Sequence, residues 1–250
     1  MNYRNLLFVL LLLLSFDASS QTENSKKVLF VGNSYTYFWN LPQTVALMAE
    51  SQKVKLETSH STAGGAHWGH HWRGERDLQT RDRIKEGDFD VVVLQNHSRS
   101  TIDRLDSLMH FGQLLAGKIQ EKKAAIYLYM TWAREWDPYM QQPIKEGYEQ
   151  LAKKINATIV PVGPAWERAR TLRPGFPLYD DDGSHSSPLG TYLSACVFYG
   201  VLTGQSPIGL PNRLITKDAQ GETLYLNIQS NENALFCQKV AAEIIAQYKN

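Results

Sequence analysis

A chain of 250 residues with 43% apolar content, six Trp and twelve Tyr has ample material for one packed core, which excludes wholesale disorder. Its 26 basic and 25 acidic residues are scattered and leave a formal net charge of +1. With no basic stripe to neutralise a run of phosphates, a nucleic-acid partner is not expected, and a small or neutral substrate suits the balance.

The first twenty residues stand apart. Arg4 precedes an almost unbroken run of Leu, Phe and Val from Leu6 to Phe16, and small residues follow at Ala18-Ser19-Ser20. This is the pattern of a cleaved secretory signal over residues 1–20, with one mature domain over 21–250 and a secreted or periplasmic destination. The apolar run is shorter than the roughly 20 residues that span a bilayer as a helix. A retained N-terminal anchor is the alternative. No Cys stands at the cleavage site to take a lipid, and no other segment is apolar enough to cross a membrane.

Beyond the signal, strand-length apolar runs alternate with helix-length amphipathic stretches. Val28–Val31 reads as a first strand, ended by Gly32-Asn33, and 41–51 as a helix with Leu41, Val45 and Met48 on one face. A second strand is predicted over 54–59. Asp90–Gln95 is the clearest buried strand, its continuous apolar character fitting a central parallel position. A long helix follows over 102–122, a strand over 125–130, a helix over 139–155, a short strand over 158–161 and a helix over 165–171. Helices over 188–202 and 231–248 close the chain, and Thr203–Leu226, rich in Gly and Pro, reads as a long irregular connection. The alternation predicts an α/β fold: a flavodoxin-like three-layer α/β/α sandwich around a central, mainly parallel sheet. Cys196 and Cys237 fall in helical segments and read as buried free thiols, a disulfide being the alternative in an oxidising compartment.

In open sheets of this kind ligands bind at the carboxyl ends of the strands. After the first strand comes Gly32-Asn33-Ser34, which sets a hydroxyl on a turn there; alone it is equally a helix cap. Far downstream, the polar loop Asp180-Asp181-Asp182-Gly183-Ser184-His185 offers a carboxylate three residues from an imidazole. That spacing lets Asp182 orient His185, leaving its other ring nitrogen to act as base for Ser34. Asp180 and Asp181 are equally a solvated or calcium-binding turn. The second strand runs into Ala63-Gly64-Gly65-Ala66 and the third into Gln95-Asn96, a backbone N–H and two side-chain amides suited to an oxyanion. The segment Ala66–Arg73 packs His67, His70, His71, Trp68 and Trp72 together. It reads as an aromatic substrate wall, as plain packing or, less well, as a metal cluster, because no carboxylate or Cys follows at ligand spacing. Asn33, Trp39, His71, Trp72 and Trp132 are the expected substrate-contacting residues; Trp39 and Trp132 are equally core.

The order Gly-x-Ser, Gly, amide and Asp-x-x-His resembles the SGNH (GDSL-like) hydrolase superfamily. The likeness is strongest to a secreted bacterial branch that includes carbohydrate-active members. It is carried by Leu94-Gln95, by Asp182-Gly183-Ser184-His185-Ser186-Ser187 and by Gly190-Thr191-Tyr192-Leu193, and extends over nearly the whole mature chain. The resemblance implies a Ser34–His185–Asp182 triad, no metal or other cofactor, and an oxyanion hole from the N–H of Ser34, the N–H of Gly65 and an amide. The superfamily's Gly-x-Asn-Asp block is absent here, so Gln95 is the first choice for the amide and Asn96 the alternate. The expected activity is ester hydrolysis, most naturally removal of short acyl groups from a glycan. A lipase or thioesterase, or a non-catalytic glycan-binding protein on the same scaffold, are the competing readings.

Overall fold

In the computed structural model the described residues are 25–249, so the expected signal segment lies outside them. Strand β1 (Lys26–Gly32) leads through a single helical turn α1 (Ser34–Tyr37) and a 3-10 turn at Phe38–Asn40 into α2 (Leu41–Ser51). Strand β2 (Leu56–Thr62) is followed by two short helices, α3 (Trp68–Arg73) and α4 (Thr80–Glu86), then by β3 (Val91–Leu94). Helices α5 (Ser100–Asp103) and α6 (Leu105–Glu121), strand β4 (Ala125–Met130), helix α7 (Gln141–Ile155), strand β5 (Thr158–Pro161) and helix α8 (Val162–Leu172) complete the crossovers. Helix α9 (Pro188–Thr203), a hairpin of β6 (Arg213–Lys217) and β7 (Thr223–Ile228), and α10 (Asn231–Gln247) end the chain.

Strands β1 to β5 form one parallel sheet in the order β2-β1-β3-β4-β5. Side chains alternate across it because strand residues have a period of two. Val28, Phe30, Val91 and Val93 face a core shared with α2, α8, α9 and α10. Leu29, Val31, Val92 and Leu94 face a second core shared with α4, α6 and α7. The predicted three layers are therefore present. Helix α9 is buried nearly all round, as expected of a helix with no polar face that is enclosed between the sheet and other helices.

Three expectations change. The second strand begins at Leu56, not Val54, and runs on through His60-Ser61-Thr62. The chain turns at Lys53 with φ +60°, and Val54 N–H still donates to Ala49 O at the end of α2. As the outer strand of the sheet, β2 tolerates polar residues that a central strand would not. The long helix over 102–122 breaks at Arg104, whose extended φ of −150° separates α5 from α6. The connection 203–226 is not irregular throughout but contains the hairpin. Its turn closes where Gly221, at φ +86°, donates to Asp218 O while Asp218 Oδ1 accepts from Gln220 and Glu222. Cys196 and Cys237 are both free and buried.

Candidate active site

Ser34 stands at the first position of α1, immediately beyond the C-terminal end of β1. Asn33 caps this turn, its Oδ1 accepting from Tyr35 N–H at 3.0 Å, while its Nδ2 donates to Ala66 O at 2.9 Å and ties the turn to the loop after β2. The third strand contributes a second tie. Gln95 Oε1 accepts from Asn33 N–H at 2.8 Å and from Thr36 Oγ1 at 3.0 Å, and Gln95 Nε2 donates to Asn96 O. Gly32 is required by this arrangement, because a Cβ there would lie 2.3 Å from Thr36 Oγ1 and 2.4 Å from Gln95 Oε1.

The loop Asp180–Ser187 reaches the same edge. His185 Nε2 is 2.8 Å from Ser34 Oγ, although the two residues are 151 apart in the chain. Its Nδ1 is 2.5 Å from Asp182 Oδ2, and Asp182 Oδ1 accepts from the backbone N–H groups of Ser184 at 2.9 Å and His185 at 2.8 Å. Partial burial, the largest single influence on the Asp182 carboxyl, raises its pKa. The His185 ring and the two N–H donors outweigh it and hold the group below its ordinary value. With Nδ1 committed to the carboxylate, Nε2 is left to accept the serine proton.

Aromatic packing holds the loop in place. The Phe38 ring stacks on the His185 imidazole at 4.2 Å and the Tyr35 ring meets its edge at 5.4 Å. Tyr35 OH and Ser184 Oγ are 2.6 Å apart, Trp132 Nε1 donates to Ser184 O and Trp39 Nε1 donates to Ser186 O. Ser187 caps α9, accepting from Gly190 N–H at 3.0 Å. His185 is thus held three residues before a buried helix.

The amide expectation is reversed. Gln95 is wholly buried and both its amide atoms are spent inside the protein, so it has no donor for a ligand. The Oδ1 of Asn96 accepts from Trp68 N–H at 3.0 Å and His97 N–H at 2.9 Å, while no hydrogen bond among the described residues engages its Nδ2. The N–H groups of Ser34 and Gly65 likewise have no acceptor among the described residues, and Gly65 turns with φ +64°. Of the two amides, that of Asn96 keeps a donor unengaged among the described residues.

Most of the expected substrate wall is also corrected. Asn33 is buried and works as a cap. His71 is fully buried, with Nδ1 2.7 Å from Thr80 Oγ1 and Nε2 3.1 Å from Gly32 O, so neither nitrogen is free. Trp132 is 1% exposed, stacked between Tyr35 at 4.7 Å and Trp166 at 3.9 Å. Trp72 packs on the second core beneath Arg81. Only Trp39, 44% exposed beside Ser186, keeps an open face. Trp136, which the sequence did not single out, is 62% exposed and lies against Gly183, where a Cβ would meet its ring at 2.8 Å. Its position two residues before Pro138 after β4 was the available signal. Phe38 was missed because an apolar residue in a short turn reads as core.

Among the described residues no group of three His, Cys, Asp or Glu side chains is placed to hold a metal ion, and no helix is long and apolar enough to cross a membrane.

No family model and no curated protein matches this chain. Solved structures do. A DUF4886 family protein from Bacteroides uniformis superposes with a TM-score of 0.74 at 18% identity, over 89% of this chain and 95% of that one. A candidate SGNH hydrolase from Slackia heliotrinireducens gives 0.61 at 21% identity, over 72% and 100%. An acetyl xylan esterase gives 0.58 at 15% identity, over 70% and 99%. With the parallel five-stranded sheet and its flanking helices, these likenesses establish that the chain has the SGNH hydrolase fold.

Proposed function

We propose that the protein is a serine ester hydrolase that removes short acyl groups, acetyl foremost, from a carbohydrate by way of Ser34, His185 and Asp182. The observation that carries this reading is the continuous hydrogen-bonded relay from Ser34 Oγ through both ring nitrogens of His185 to Asp182. A serine hydroxyl alone is a weak nucleophile, and a base within hydrogen-bond reach, itself oriented by a carboxylate, is what activates it.

In the reaction Ser34 Oγ attacks the ester carbonyl carbon as its proton passes to His185 Nε2. Asp182 stabilises the imidazolium. The oxygen that gains charge accepts from the N–H of Ser34, the N–H of Gly65 and Asn96 Nδ2, donors without partners among the described residues. Collapse expels the alcohol with the proton from His185. Water deprotonated by the same imidazole then releases the acid and restores Ser34.

Two features support a sugar ester with a small acyl group. Trp39 and Trp136 hold exposed rings against the His185 loop, at Ser186 and Gly183, where a pyranose face can stack. The cavity at Gly65 is lined by His and Arg side chains, a poor lining for a long alkyl chain. A secretory route for residues 1–20 belongs to the same reading, since extended glycan substrates lie outside the cell.

Purified protein assayed on p-nitrophenyl acetate and octanoate tests the activity. The expected result is turnover of the acetate in preference to the octanoate, together with Ser34 labelling by a fluorophosphonate. Ser34→Ala should lower kcat by about a thousandfold or more with no loss of fold. Undiminished hydrolysis by that variant would overturn the assignment, and octanoate preference would redirect it to a lipase or thioesterase.

A further inference from the structure

At Gly65, whose loop is tied to the Ser34 turn through Asn33 Nδ2 and Ala66 O, lies a cavity of about 360 Å³ whose lining also includes His67, His97, Arg99, Asp103 and Arg104. It opens between the ends of β2 and β3, touching one oxyanion donor (Gly65) and the residue that follows another (Asn96). A group entering it from a bound ester would belong to the substrate itself.

The protons of this cavity can be placed. Backbone N–H groups only donate, so a ring nitrogen that receives one carries no hydrogen. His67 Nδ1 receives Gly69 N–H at 3.1 Å, His70 Nδ1 receives His67 N–H at 3.2 Å, and His97 Nδ1 receives Arg99 N–H at 3.4 Å. In each neutral ring the hydrogen therefore sits on Nε2. Burial first, then neighbouring cations, holds all three imidazoles below their usual range, His67 at about 4, so the neutral form is the one present near pH 7. Arg104 is among the cations acting on all three.

The charges do not cancel. Arg99 is matched by Asp103 at 2.7 and 2.8 Å, and Arg73 by Glu75, which also lies 3.5 Å from His70 Nε2. Arg104 has no ion pair among the described residues and lines the cavity because the helix breaks at that position. Arg76 is bound only to Gly64 O and has no carboxylate partner among the described residues. The lining thus sets two arginines against the single carboxylate of Asp103, beside neutral imidazoles whose hydrogens sit on Nε2, and this positive excess favours an acceptor-only anion over a neutral hydroxyl.

We propose that this cavity is the subsite for a carboxylate or sulfate group carried by the sugar, so that the preferred substrate is an acylated acidic glycan. The inference rests on the esterase reading for its position relative to the scissile bond, but not for the binding itself. Ligand-observed NMR on the full chain, with methyl galacturonoside, methyl galactoside 6-sulfate and neutral methyl galactoside, separates the two. Binding of one or both acids in preference to the neutral sugar is expected, and the acid that binds identifies the group. Added salt should weaken that binding. Arg104→Gln should weaken it about tenfold, with Arg104→Lys recovering part of the loss. Equal binding of all three sugars, binding of none, or affinity unmoved by Arg104→Gln would overturn the proposal. Acid-selective binding by a protein that cleaves no ester would refute the Ser34 mechanism alone. Ester cleavage with charge-indifferent binding would refute the anion subsite alone.

Discussion

Gln95 and Asn96 are adjacent amides with opposite duties, and the difference lies in which of their atoms the fold has already used. On the proposed mechanism, Asn96→Ala should remove one donor to the charged intermediate, lowering kcat about a hundredfold with little change in KM. Gln95→Ala should instead leave Asn33 N–H and Thr36 Oγ1 without their acceptor, costing about 3 kcal/mol of stability in a denaturant melt. No sequence pattern separates the two, since each follows the third strand; only the partners brought in from β1 do. His71 is a comparable case. Burial chiefly holds its pKa down at about 4 against 6.5, although the contact with Gly32 O works the other way. The unfolded chain therefore binds the extra proton between roughly pH 6.5 and 4, and stability is lost as pH falls through that window, by up to about 3 kcal/mol. Urea midpoints measured at pH 7.5 and 4.5 should show this drop, and His71→Gln should shrink it.

Between elements, the stack of Tyr35, Trp132 and Trp166 joins α1, the segment after β4 and α8, and Trp132 also holds the Asp182–His185 loop through Ser184 O. Trp132→Phe should keep most of the stacking yet lose that hydrogen bond, so kcat should fall several-fold while Tm changes little. Trp132→Ala should cost about 3–5 kcal/mol through the cavity it leaves. The sequence placed most strands and helices within a few residues, because buried parallel strands read as unbroken Val and Leu. Short elements escaped. Helices α3 and α4 have six and seven residues, too few to display a periodicity. The hairpin was hidden by the Gly and Pro residues around it, though Asp218 and Gly221 are ordinary turn residues.

At the scale of the molecule, the strand order β2-β1-β3 sets three loops side by side, and this explains why Ser34, Gly65 and the Gln95-Asn96 pair could be grouped from sequence although the choice between the two amides could not. Pairing with His185 was legible through the Asp-x-x-His spacing. What stayed illegible was the direction of the aromatic rings. Trp132 and Trp136 lie four residues apart, one inside the stack and one in solvent, and packing from α8 decides between them. Refolding from denaturant should restore hydrolysis no earlier than the near-ultraviolet signal of those tryptophans, because the same loop depends on both. Earlier return of activity would show that the stack is dispensable. During synthesis the distance between the two hydrogen-bonded groups has a further result: Ser34 is polymerised some 150 residues before the His185 that would serve as its base. On the proposed mechanism, a nascent or truncated polypeptide that stops before position 185 carries only an ordinary alcohol at Ser34, and no hydrolysis can begin until roughly three quarters of the product has been made.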